Sequence, residues 1–222
     1  AMKVYMNNAG PTNDQSRVLQ GIAVVPGVVN GSIAWFRRGP ELPRRGYRVK
    51  VADRPAELER FHDALDDVAT GLREQADRLT GVTADVIRSS VYLVTDRGWV
   101  GPAERDITAG MTAEAATGHQ ISRFIELLER RGGFAAERTA DLRDIRDRIA
   151  RRLQGIDEPS LPKLTSSSIL VADELAPADI AAIDPNSIGA IATIRGGLTG
   201  HIAIVARQLG IPLSLIHISE PT

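Results

Sequence analysis

Two different hydrophobic rhythms run along this chain. Gly21 to Phe36 (GIAVVPGVVNGSIAWF) holds two short apolar runs broken at Pro26-Gly27 and Asn30-Gly31, a pattern that predicts a β-hairpin or paired strand segments. Arg37 to Ala52 contains Pro40, Pro43 and several arginines and reads as a connecting loop. The period then changes. Leu58, Phe61, Leu65, Val68, Leu72, Ala76 and Leu79 recur at steps of three and four, one stripe of a long helix with Pro55 near its start. A second helix is predicted around Val86, Ile87, Ser90, Val91 and Val94. A third runs from about Thr112 through Phe124, Ile125 and Leu128 to Gly132-Gly133. The fourth places Leu142, Ile145, Ile149 and Leu153 on one face and stops at Gly155. Four amphipathic helices with short connections predict an antiparallel bundle.

Beyond Gly155 the texture changes again. Pro159, Pro162 and Ser166 to Ser168 read as a linker, Ile169 to Ala172 as a strand, and Pro177 as the start of a short helix. A second apolar strand spans Ile188 to Ile194, and Gly196-Gly197 separates it from a helix at about His201 to Leu209. The expected fold is an α/β domain, residues 21–54 and 156–212, interrupted by an inserted helical bundle at 55–155. Asn7 to Ser16 (NNAGPTNDQS) marks residues 1–20 as a linker-like extension. Leu213 to Thr222 (LSLIHISEPT) resembles one reading frame of a transposase sequencing adapter. It is therefore expected to be an adapter-derived tail, which would leave the α/β domain incomplete.

Composition narrows the classes. With 43% hydrophobic and 25% charged residues among 222, the chain is too apolar for a disordered tail and too charged for a membrane bundle. No apolar run approaches the ~20 residues of a spanning helix. The 27 Lys and Arg nearly balance 28 Asp and Glu, which argues against nucleic-acid binding driven by overall charge. Cysteine is absent, which removes disulfides, thiolate metal sites and cysteine nucleophiles and fits a cytoplasmic protein.

Most of the chemistry sits in Ile194 to Arg207 (IRGGLTGHIAIVAR). Gly196, Gly197 and Gly200 allow close approach of a ligand to the main chain. The helix that follows has an apolar face of Ile202, Val205, Ala206 and Leu209, with His201 in its first turn and off that face. Backbone N–H groups and the positive dipole end make a helix N-terminus receptive to phosphate. The same dipole disfavours an imidazolium, and neutral imidazole is the nucleophilic form. The pattern suits a histidine that accepts and passes on a phosphoryl group, although a capping or surface histidine has the same spacing. His62, His119 and His201 lack the spacing of a zinc site, and GGLTG lacks the lysine of a P-loop.

GGLTGHIAIVARQLGIP resembles the phosphohistidine motif of phosphoenolpyruvate-utilising enzymes, G-G-x-T-S-H-x-A-I-x-A-R. GIAVVPGVVNGSIAWF, ERTADLRDIRDRIARRLQG and ILVADELAPADIAAID are similar, in family order, to segments of the N-terminal region of Enzyme I. Enzyme I is the phosphoenolpyruvate–protein phosphotransferase of the bacterial sugar phosphotransferase system. The resemblance implies a swivelling phosphohistidine domain whose helical insert docks the carrier protein HPr. It implies that His201 takes the phosphoryl group from phosphoenolpyruvate and gives it to HPr, with Gly196, Gly197, Thr199, Gly200 and Arg207 supporting the loop or the phosphate. Tyr92, Leu93, Asp96 and Trp99 fall in the stretch that would meet the carrier. Mg²⁺, phosphoenolpyruvate binding and homodimerisation are assigned by the same resemblance to a C-terminal barrel outside this sequence. Neither nucleic-acid binding nor membrane insertion is expected.

The motif is not intact. Gly200 stands where the family has Ser, and Ala176 stands where many relatives have a Thr positioned to hold the imidazole. Three other readings stay open at this level: an Enzyme I-like part of a dihydroxyacetone kinase phosphotransfer subunit, the phosphohistidine domain of a phosphoenolpyruvate synthase or pyruvate phosphate dikinase, and a regulatory binding module without phosphotransfer. The predicted insert argues against the dikinase.

Overall fold

A computed structural model describes residues 2–6, 17–36, 48–133, 135, 138–156, 161–164, 168–195 and 200–217. The chain divides into two compact units, residues 38–160 and residues 1–37 with 161–222. The helical unit therefore begins earlier than residue 55 and ends later than residue 155. The Val49 N–H donates to the Gly110 carbonyl and the Arg54 guanidinium to that of Thr108.

The helical unit contains α1 (Arg54–Asp77), α2 (Gly81–Val94), α3 (Arg97–Thr108), α4 (Ala113–Arg131) and α5 (Thr139–Gln154). Four of these follow the apolar stripes in the sequence. The helix α3 does not, because Gly98, Gly101 and Pro102 dilute its pattern with residues that oppose helix formation. Pro102 lies inside the helix, and the Asp96 carboxylate caps the helix by accepting from the Gly98 N–H at 2.7 Å. Trp99, Ala103 and Ile107, at i, i+4 and i+8, point into the core. There the Trp99 ring meets Phe61 edge-to-face at 6.0 Å, and Leu72, Ile121, Leu142, Ile145 and Ile149 are buried around the same bundle.

A polar clamp joins three of the helices at one end. On α1, the Arg60 guanidinium donates to Glu57, to both carboxylate oxygens of Glu114 at 2.9 Å, and to the Leu153 carbonyl at 2.8 Å. Glu57 in turn accepts the Ala113 N–H at 2.7 Å, satisfying an orphan donor at the start of α4. Burial pushes the Glu57 carboxyl up, but the Arg60 and Ala113 hydrogen bonds outweigh it and hold the group below its ordinary value.

In the α/β unit, strands β1 (Met2–Met6), β2 (Arg17–Val25), β3 (Ser32–Phe36), β4 (Ser168–Ala172), β5 (Ala190–Thr193) and β6 (Leu213–His217) form one mixed sheet in the order β1-β2-β6-β5-β4-β3. Strands β3, β4, β5 and β6 are mutually parallel, and β2 runs antiparallel to both β1 and β6. Two helices complete the unit, α6 (Pro177–Ala181) and α7 (His201–Leu209). Val171, Ala192 and Ile216 from β4, β5 and β6 form a buried apolar cluster, with Ile33 and Ile169 against it.

This sheet corrects three expectations. β2 and β3 are not a hairpin: β3 pairs with β4, which follows about 130 residues later, and β2 pairs with β6. Residues 1–20 are not simply a linker, because Met2–Met6 and Arg17–Gln20 pair as strands on either side of the polar stretch that suggested one. Leu213–His217, expected to lie outside the fold, instead runs between β5 and β2, with Leu213 and Ile216 buried. Its run of Leu, Ser, Leu and Ile suits a pleated, buried position.

Candidate functional site

The strand β5 ends at Thr193, and the chain then turns at the carboxyl edge of the parallel strands, where α/β sheets place their ligands. The turn is anchored to the end of β4. The Ile194 N–H donates to the Ala172 carbonyl at 3.1 Å and the Arg195 N–H to that of Asp173 at 2.8 Å. The Arg195 guanidinium pairs with the Asp173 carboxylate at 2.9 Å, with both side chains mostly exposed. Arg195 thus has an acid partner in the turn. Gly196, Gly197 and Thr199, singled out in the sequence, lie outside the described residues.

At the far side of the turn, Gly200 is the N-cap of α7 in extended conformation (φ −65°, ψ 166°), and no side chain caps the helix. Its carbonyl accepts from the Ala203 and Ile204 N–H groups. A serine here would have offered an oxygen to the first turn, so the glycine leaves that turn to main-chain groups. His201 is the first residue of α7 and is half-buried, while Ile202, Ala203, Val205 and Ala206 bury the opposite face. Gly210 stops the helix in the left-handed conformation (φ 68°), and β6 returns parallel to β5. The histidine is therefore held on a rigid helix end between two adjacent strands.

Arg207 lies six residues further along α7, about 9 Å along its axis. Its guanidinium donates to the Val24 carbonyl near the end of β2 at 3.4 Å. Ala176 is buried at the N-cap of α6, where its N–H donates to the Asp179 carboxylate at 2.8 Å. The Ala176 side chain itself is a methyl and offers no hydrogen-bonding group.

The four residues expected to meet a carrier separate on inspection. Tyr92 is 77% exposed, whereas Leu93 (3%) and Trp99 (0%) are core. Those two are corrected to structural roles: the Trp99 indole N–H donates to the Leu93 carbonyl at 2.8 Å, and both pack inside the bundle. Asp96 is engaged as the cap of α3. What the sequence reading missed is a groove of about 310 Å³ between α3 and α4, bordered by Arg105, Arg123 and Arg130. Its signal was hidden because α3 itself was hidden.

His62 and His119 belong to the helical unit and pair with Glu104 and Asp106. Among the described residues no three His, Cys, Asp or Glu side chains are placed to hold a metal ion. No helix among the described residues is long and apolar enough to cross a membrane.

Residues 20–138 match the family described as PEP-utilising enzyme, N-terminal, and residues 164–215 match PEP-utilising enzyme, mobile domain. The chain is 36% identical over 199 residues to a phosphoenolpyruvate-protein phosphotransferase of Haloferax volcanii, covering 88% of this chain and 35% of the relative. A protein of the same name from Streptomyces coelicolor is 34% identical over 195 residues, covering 87% and 35%. The chain thus spans about a third of the length of these relatives. An NMR solution structure of Enzyme I superposes with a TM-score of 0.65 at 26% identity, over 88% of this chain and 81% of that one. A structure titled "N-terminal domain of Enzyme 1 - Nitrogen" shares the fold, with a TM-score of 0.56 at 24% identity over 90% of this chain and 84% of that one.

Proposed function

This chain belongs to the phosphoenolpyruvate-utilising enzyme family as an Enzyme I N-terminal region, and on that premise we propose that His201 is the phosphoryl acceptor and HPr-type carrier proteins its recipients. The observation that carries the reading is the position of His201, first residue of α7 at the carboxyl edge of a parallel β-α-β unit, within the stretch that matches the mobile domain. An imidazole nitrogen of His201 attacks phosphorus of phosphoenolpyruvate. The P–O bond to the enolate breaks, and protonation of that enolate gives pyruvate. A histidine of the carrier then attacks the same phosphorus, the P–N bond to His201 breaks, and the imidazole returns to its starting state. The helix N-terminus supplies N–H groups and a favourable dipole for the transferring anion. Phosphoenolpyruvate and Mg²⁺ binding are attributed to a barrel beyond the third of Enzyme I that this chain spans.

The carrier step is reversible, so it can be tested in this chain directly. Phosphorylated HPr mixed with the chain is expected to transfer its phosphoryl group to His201, read as an acid-labile phosphohistidine by ³¹P NMR and peptide mass. His201→Ala is expected to abolish the signal. Undiminished labelling of that variant would refute the assignment, and no labelling of the native chain would favour a binding module in which Gly200 and Ala176 mark lost phosphotransfer.

A further inference from the structure

The turn that leads to His201 carries an ion pair that adds little to the fold. At the carboxyl edge of the parallel strands, Arg195 and Asp173 are joined by a main-chain hydrogen bond of 2.8 Å and by a side-chain pair at 2.9 Å. The main-chain bond already ties the turn to the end of β4. With side chains 60% and 58% exposed, the ion pair is weak, and the guanidinium can leave it at small cost. His201 stands at the same edge. From Ile191 to Arg195 the chain climbs at most ~13 Å, and from His201 to Leu209 the helix α7 descends ~12 Å. Beyond α7 the chain is back at the start of β5, where the Ile191 N–H donates to the Pro212 carbonyl at 2.8 Å. A helix that descends about as far as the strand and turn climb sets its first residue, His201, level with the turn that holds Arg195. Of the other described residues around that turn, Gly200 and Ala176 offer no side-chain hydrogen-bonding group, and Asp173 and Glu174 are acids.

We propose that Arg195 is the phosphoryl-binding cation of this edge: when His201 carries a phosphoryl group, the guanidinium leaves Asp173 and pairs with the phosphoryl oxygens. The inference rests on His201 as the acceptor and adds the side chain that holds the charge it accepts. A phosphoryl group brings about two negative charges near neutral pH, against one on the carboxylate. A guanidinium meets phosphate oxygens through two parallel charge-assisted hydrogen bonds, so the exchange favours the phosphoryl group. One ion pair replaces another and no proton moves, while the Asp173 carboxylate, already more than half exposed, passes to water. Before phosphorylation the same carboxylate keeps the guanidinium at the turn, within the edge where the charge will arrive.

The test is a ³¹P NMR pH titration of the whole chain phosphorylated with potassium phosphoramidate, which needs no carrier. The His201 signal is the one missing from His201→Ala treated alike. Arg195→Gln is expected to make that phosphoryl group a roughly threefold weaker acid, because its dianion loses a cation. Arg195→Lys, which keeps the charge, is expected to restore most of the native value. In the unsubstituted chain the Arg195 guanidinium resonance, followed by ¹⁵N NMR, is expected to shift on phosphorylation. Native acidity in Arg195→Gln overturns the proposal, as does a lysine variant that behaves like the glutamine one. A guanidinium resonance that does not respond also overturns it, and that measurement does not depend on any Arg195 variant folding. Labelling from phosphorylated HPr is scored separately. Its failure beside a normal Arg195 response refutes only the carrier reading, whereas failure of phosphoramidate to label His201 refutes both.

Discussion

In the helical unit nearly every element is set by its own residues, whereas in the α/β unit the strands are defined by partners far away in the chain. The helix α1 displays its core stripe within 24 residues, and α5 ends where Gly155 takes a left-handed conformation (φ 65°). By contrast, β3 and β4 lie side by side although a whole unit separates them in sequence. The difference in range teaches where function can be placed. The bundle takes its order from neighbouring residues, whereas the sheet that carries His201 at a helix end is assembled from distant segments.

The largest effect that would sharpen this contrast comes from the bundle core. Trp99→Ala removes a fully buried ring, its contact with Phe61 and its hydrogen bond to the Leu93 carbonyl. It is expected to destabilise the helical unit by roughly 3–5 kcal/mol. Hydrogen exchange should show the loss over α1 to α4 while β4, β5 and α7 keep their protection. Equal loss in both units would break the comparison.

A smaller effect tests the sheet. Gly21 in β2 faces Ile216 in β6, and an added Cβ would lie 2.6 Å from the Ser214 hydroxyl and 2.7 Å from the Leu215 carbonyl oxygen. Gly21→Val is expected to cost roughly 1–3 kcal/mol by forcing the β2–β6 pair apart. The exchange rates of β6 amides should report it. An unchanged β6 would mean that this strand does not pair as described.

The smallest expected effect concerns the polar clamp. The Glu57 carboxyl is held below its ordinary value, so its contribution to stability is present above the ordinary carboxylate range and is lost as pH falls through the lowered folded-state value. Glu57→Gln is expected to cost about 1 kcal/mol at neutral pH, a modest figure because the Arg60 side chain is 39% exposed and screened by water. The variant should also lose less stability than the native chain on acidification. A denaturant titration repeated across pH measures both, and an identical acid slope in the two proteins would count against the clamp.

How much of this was legible in the sequence follows the same division. α1, α2, α4 and α5 are visible because a stripe of apolar residues at three and four is a local signal. The helix α3 is not, since Gly98, Gly101 and Pro102 weaken propensity where Asp96 capping and Trp99 burial decide the outcome. Strand existence around Ile22, Ile169 and Ile191 is readable, but pairing is not. Two apolar runs joined by Pro-Gly and Asn-Gly look like a hairpin whether or not their true partners lie elsewhere. His201 stands out from the glycine turn and the family motif together. The fate of Arg207 does not, because six residues along a helix turn a motif residue toward β2. Tyr92, Leu93 and Trp99 are three apolar residues of one short segment, and only tertiary packing separates the exposed one from the two in the core.

The adjacency of β3 and β4 also has a consequence for biosynthesis. About 130 residues separate these neighbours, and closing a flexible loop of that length costs about 4 kcal/mol of chain entropy, before any constant term. At ~5–20 residues per second, the ribosome delivers β4 roughly 7–26 seconds after β3. Helices form far faster than that from local contacts. A bundle that condensed first would replace that flexible loop with folded structure and so lower the entropic cost of pairing β3 with β4.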